Sequence, residues 1–246
     1  LYAMIDESQI GDEKARAAVT ARKQLIADKK GSDSVFTLYL SVDLDRSYFA
    51  NIATGHFFYT PSRAGQTAAG EMPLNGEKKE TLSWLQRFLG LTTYEIAIPV
   101  LRDSNLAPAG KSGLVISFLF DYELAKVVQE RGWDKELREK TAKMVIEILD
   151  KSIYPGLAGK VIESFTSTPL TIQSVAGTTD GAITGWSFRN QPMPAENRLA
   201  SIANAVNTPI PDVCQAGQWT YSPSGFPVAL ITGKLAADKA NKQLRK

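Results

Sequence analysis

The chain has 246 residues, 43% of them hydrophobic, enough to bury an ordinary core in one large or two small domains. Lys and Arg number 28 against 26 for Asp and Glu, and the basic residues are dispersed, which argues against nucleic acid as the main partner. One cysteine, Cys214, rules out an internal disulfide, and no apolar run approaches the roughly 20 residues of a membrane span. The longest, Leu114 to Phe120, is already broken by Ser117. The opening Leu1-Tyr2-Ala3-Met4 has neither an initiator methionine nor the regions of a signal peptide. The expectation is therefore a chain cut from a longer one, cytoplasmic or peripheral to a membrane.

Asp12 to Lys29, rich in Ala, Lys and Arg, reads as a partly exposed helix ended by Gly31-Ser32. From Val35 to Leu44 the alternation predicts a half-buried strand with Phe36, Leu38, Leu40, Val42 and Leu44 on one face. A short aromatic run, His56 to Tyr59, and a polar stretch precede a helix with Leu82, Leu85 and Leu89 on one stripe before Gly90. Strands are expected at Tyr94 to Pro99 and Gly113 to Asp121, joined by the turn-rich segment Arg102 to Lys111. Asp134 to Asp150 is the clearest helix, with Leu137, Met144, Val145, Ile148 and Leu149 inward. Val161 to Thr166 reads as a strand, and Thr168-Pro169 as a helix cap followed by proline in the first turn. This order implies an α/β fold, a mixed sheet with flanking helices.

The segment Thr208 to Ala237 carries the functional argument. It reads as a short strand, Val213 to Ala216, a glycine turn at Gly217, a loop, and a helix opening near Pro227. Ala229, Gly233, Ala236 and Ala240 form a small-residue face that would let another backbone approach. A helix start preceded by Gly225 offers free N–H groups and a partial positive charge to whatever lies in front.

The pattern Ala216-Gly217-x-Trp219 with Gly225-x-Pro227 resembles the C-terminal flavin-binding segment of the phytoene desaturase family and related carotenoid or retinol oxidoreductases. The resemblance extends through the Leu101-Arg102-Asp103 to Gly110 turn and the Thr168 to Gly177 and Gly181 to Trp186 segments. It implies a substrate-domain region over 1–190. Residues 191–246 would then hold the last strand and helix of a Rossmann-type FAD-binding domain. It implies Gly217, Gln218 and Trp219 along the ribityl and pyrophosphate side of FAD, and Gly225, Phe226 and Pro227 beside the isoalloxazine. The reaction implied is hydride transfer between FAD and an apolar polyene or isoprenoid-like substrate, with peripheral membrane contact left open. Gln218 stands where the family usually has an acidic residue, a departure that favours the alternative of a non-catalytic binding or scaffolding module without cofactor. None of the 18 glycines forms Gly-x-Gly-x-x-Gly, the dinucleotide fingerprint, so this chain alone is expected not to retain FAD.

Other chemistry-bearing residues receive plainer readings. His56 is a strand or loop residue without an interpretable acid or nucleophile partner, and Cys214 is a packed core thiol. Asp43 and Asp45 mark a polar strand end, and Trp84, Leu85, Phe88 and Leu89 face a core. No metal site and no catalytic acid or base is identified.

Overall fold

The computed structural model describes residues 2–245. Its helices and strands run in the order α1 (Glu13–Ala27), β1 (Ser34–Val42), α2 (Arg46–Ala50), β2 (His56–Tyr59), α3 (Lys78–Leu89), β3 (Tyr94–Ala97), β4 (Ser112–Phe120), α4 (Tyr122–Glu130), α5 (Asp134–Asp150), β5 (Val161–Ser167), α6 (Pro169–Ala176) and α7 (Phe226–Leu244), with short 3₁₀ segments before α1 and between later elements. The chain divides into two compact units. One spans Ser34–Ala176; the other combines the residues up to Asp33 with those from Gly177 onward.

The Ser34–Ala176 unit is built on a five-stranded sheet of order β2-β3-β4-β1-β5. Alternation in β1 and β4 puts one apolar set on one face, and the register brings Phe36 opposite Phe118, Leu38 opposite Ile116 and Leu40 opposite Leu114. Helices α3, α4 and α5 cover that face through Leu85 and Leu89, Leu124 and Val128, and Leu137, Val145 and Leu149, all buried. Trp84 and Phe88 stack at 4.9 Å beside them, so the α3 stripe faces the core as read from its spacing. On the opposite face the hydroxyls of Thr37, itself buried, and Ser117 lie 2.9 Å apart in a hydrogen bond.

Capping follows the local chemistry. Asp121 accepts the Leu124 N–H at 2.9 Å and starts α4, a helix the sequence reading did not assign. Asp45 accepts the Ser47 N–H and starts α2, so it is a helix cap and not part of a strand end; Asp43, one residue past β1, lies 3.4 Å from Lys160. The Thr171 N–H donates to Thr168 Oγ1 at 3.3 Å, which caps α6 ahead of Pro169.

Three expectations are corrected. The sheet is antiparallel at every pairing, not mixed. Two-residue alternation specifies which face of a strand is buried and says nothing about the direction of its neighbours. Val213 to Ala216 is no sheet strand: only Cys214 makes a bridge, to Asn207, and the sheet draws all its strands from Ser34–Ala176. Cys214 is consequently half-buried, not a packed core thiol. The α/β character holds, and the C-terminal helix of the expected flavin-domain segment forms without the strand expected to precede it.

The second unit has a thin core, in which Tyr2, Ala15, Val19, Ala182, Trp186, Ala205, Val206 and Tyr221 are its buried apolar residues. Much of its order comes from hydrogen bonds between distant segments: Ser32 N–H to Gly185 O at 2.7 Å, Gly31 N–H to Asp180 Oδ2 at 2.8 Å, and Lys30 N–H to Asn190 Oδ1 at 2.9 Å.

Candidate functional site

Gly217 adopts φ +100, a left-handed conformation that favours glycine, and turns the chain back toward α7. Its N–H donates to Thr232 Oγ1 at 3.0 Å, while the buried Thr232 hydroxyl is also 2.9 Å from Val228 O inside the helix. One threonine thus ties the glycine turn to the second turn of α7. Thr220 closes the turn from the other side, its hydroxyl donating to Gly217 O at 2.8 Å.

Gly185 carries the convergence with the upstream segment. It sits at φ +83, and a Cβ built there would lie 2.2 Å from the Gln218 carbonyl oxygen and 3.6 Å from Ser224 Cβ. Only glycine permits this approach. Next to it, Trp186 Nε1–H donates to Trp219 O at 3.0 Å, and the two indoles meet edge to face at 4.8 Å. Gly185-Trp186 and Gln218-Trp219, separated by some thirty residues, therefore form one packed contact. Ser222 N–H donates to Glu196 O at 2.9 Å and extends it. Backbone N–H groups of Arg198 and Asn197 bind the Glu196 carboxylate and hold its pKa below the ordinary value.

Helix α7 opens at Gly225 with Pro227 in the first turn and no side-chain cap. Ala229 N–H is the first to find a helical partner, Gly225 O at 3.0 Å, so the Phe226 and Val228 N–H groups have no helical acceptor and Pro227 has none to offer. Phe226 is 78% exposed. Gly225 has an extended backbone, and an added Cβ would meet only Pro227 Cδ, at 4.0 Å; at Gly217 it would meet nothing within 4 Å. Among the described residues nothing requires glycine at 225. The Ser222 and Ser224 hydroxyls, just before the helix, are buried with no hydrogen-bond partner among the described residues.

The six residues expected to touch FAD, Gly217, Gln218, Trp219, Gly225, Phe226 and Pro227, thus lie on two segments drawn together by Thr232 and Gly185. Phe226 and Pro227 are exposed, while Gly217, Gln218, Trp219 and Gly225 are half-buried. The small-residue face of α7 behaves differently from its sequence reading, since an added Cβ at Gly233 meets nothing within 4 Å and no backbone packs there. Gly185, Ser222, Ser224 and Thr232 were not singled out by sequence, because their roles depend on segments remote along the chain.

Elsewhere, His56 Nε2 is 2.8 Å from Glu95 Oε1. The acid that sequence spacing could not supply comes from the neighbouring strand, where Glu95 is diagonal to His56 in the register that pairs His56 with Ala97. Among the described residues no three His, Cys, Asp or Glu groups cluster as metal ligands, and no helix is long and apolar enough to cross a membrane. No family model matches the chain, and no curated protein matches it.

Proposed function

We propose that this chain is the C-terminal part of a flavin-dependent oxidoreductase resembling the phytoene desaturases, acting on an apolar polyene or isoprenoid-like substrate. The observation that carries the reading is the start of α7: an uncapped helix N-terminus behind a glycine that no contact among the described residues explains. A methyl group at Gly225 or Gly217 would occupy the open space that a ring or ribityl chain needs, so the residues present fit one wall of a flavin site. FAD, when bound, supplies hydride exchange with carbon, and its ring bears more negative charge after reduction than before.

The chain's own residues would act by position. The free Phe226 and Val228 N–H groups, with the helix dipole behind them, favour negative charge in front of the helix. Gln218 would offer a neutral amide to a ribityl hydroxyl, and Phe226 would exclude water from one side of the ring. No side chain here is assigned proton transfer. The ADP half would be held by a Gly-x-Gly-x-x-Gly turn, which these 246 residues do not contain.

The test is to purify the natural full-length polypeptide and record its visible spectrum, then identify any released cofactor by chromatography. Flavin absorbance with stoichiometric FAD is expected, and Gly225→Ala should lower retention without unfolding the protein. A colourless natural protein that takes up no FAD on reconstitution would refute the oxidoreductase reading and leave the scaffolding alternative.

A further inference from the structure

A cleft of about 330 Å³ opens in the Ser34–Ala176 unit among α4, α5 and α6. The volume suits a small organic molecule. Its apolar lining includes Leu137, buried on α5, and Leu170 on α6. Arg138 and its ion-pair partner Asp134 line it from α5, Gln129 from α4, and Thr171 and Ser174 from α6. Polar groups therefore converge on an apolar lining from three separate helices.

Arg138 has donors to spare. Its Nη2 donates to Asp134 Oδ2 at 3.0 Å, a single contact one helical turn away that leaves Nη1 outside the pair on a side chain 39% exposed. Asp134 engages only one edge of a guanidinium whose fork is shaped for two-point binding of a carboxylate. The Thr168 and Thr171 hydroxyls are 3.2 Å apart and consume one proton between them, leaving the second uncommitted within this pair. The capped N-terminus of α6 adds its partial positive charge on the same side.

We infer that this cleft binds a small carboxylic acid with a short apolar tail: the carboxylate on Arg138 and the α6 hydroxyls, the tail along Leu137 and Leu170. This site is independent of the proposed flavin surface.

Hexanoate serves as the probe, with hexanol as its uncharged analogue, titrated into the protein and followed by calorimetry. Hexanoate should bind saturably with a Kd on the order of 1 mM, and hexanol at least tenfold more weakly. Arg138→Gln should weaken hexanoate at least tenfold. Because that variant also breaks the Asp134 pair, Ser174→Trp provides a second test: this exposed residue lies outside the pair, and the indole should block the cleft while the thermal transition is kept. No saturable binding to the parent, equal binding of hexanol, or unchanged hexanoate affinity in a folded Arg138→Gln or Ser174→Trp protein would overturn the assignment.

Discussion

Replacing Gly185 by alanine probes the contact on which the candidate flavin surface depends. At φ +83 an L side chain is disfavoured by about 1–2 kcal/mol, before any contact is considered. The new Cβ would also sit 2.2 Å from the Gln218 carbonyl oxygen, well inside van der Waals distance, and this atom belongs to backbone that cannot rotate away. Overpacking of this kind costs about 1–3 kcal/mol, so the combined loss is about 2–5 kcal/mol. Gly233→Ala adds the same methyl within α7, where nothing lies within 4 Å, and should instead gain about 0.5–1 kcal/mol of helix stability. Urea denaturation followed by tryptophan emission suits the comparison, because Trp186 and Trp219 touch beside Gly185. The Gly185 variant should lose about 1 M or more of midpoint. A midpoint unchanged from the parent, or equal to that of Gly233→Ala, would show that Gly185 and Gln218 do not meet as described.

Gly225→Ala should leave the urea transition within about 0.5 kcal/mol of the parent, since the added carbon only grazes Pro227 Cδ at 4.0 Å; a larger loss would mean that Gly225 is structural. Leu85→Ala, at a fully buried position of α3, should destabilise the Ser34–Ala176 unit by about 2–5 kcal/mol in chemical denaturation. Asp121→Ala removes the α4 cap and should cost about 1 kcal/mol by the same assay. For Glu196 the folded pKa is depressed by hydrogen bonds from Arg198 and Asn197, so its stabilisation is present above the unfolded pKa and lost as pH falls through the folded one. The stability gap between parent and Glu196→Gln should accordingly be open at neutral pH and close below about pH 4; a gap independent of pH would contradict the linkage.

The segments legible in the sequence were those whose pattern reports on local burial. Phe36, Leu38, Leu40 and Val42 alternate because one face of β1 meets helices, and the 17 residues of α5 repeat at helical spacing for the same reason. The start of α7 was equally readable, since Gly225 and Pro227 act within one turn of chain. Helix α4 was missed although Asp121 announces it, because its nine residues follow a strand as apolar as themselves. Only the tertiary structure decided the rest. Strand direction depends on how the connections return, which two-residue alternation does not encode. The Val213 to Ala216 run is apolar enough for a strand, yet a strand needs a partner edge, and the chain brings only Asn207 to Cys214. Gly185 under Gln218, Thr232 under Gly217 and Glu95 beside His56 are meetings of residues 15 to 39 positions apart. No local spacing encodes them: each partner's role exists only once the backbone has brought the other within hydrogen-bonding or van der Waals range.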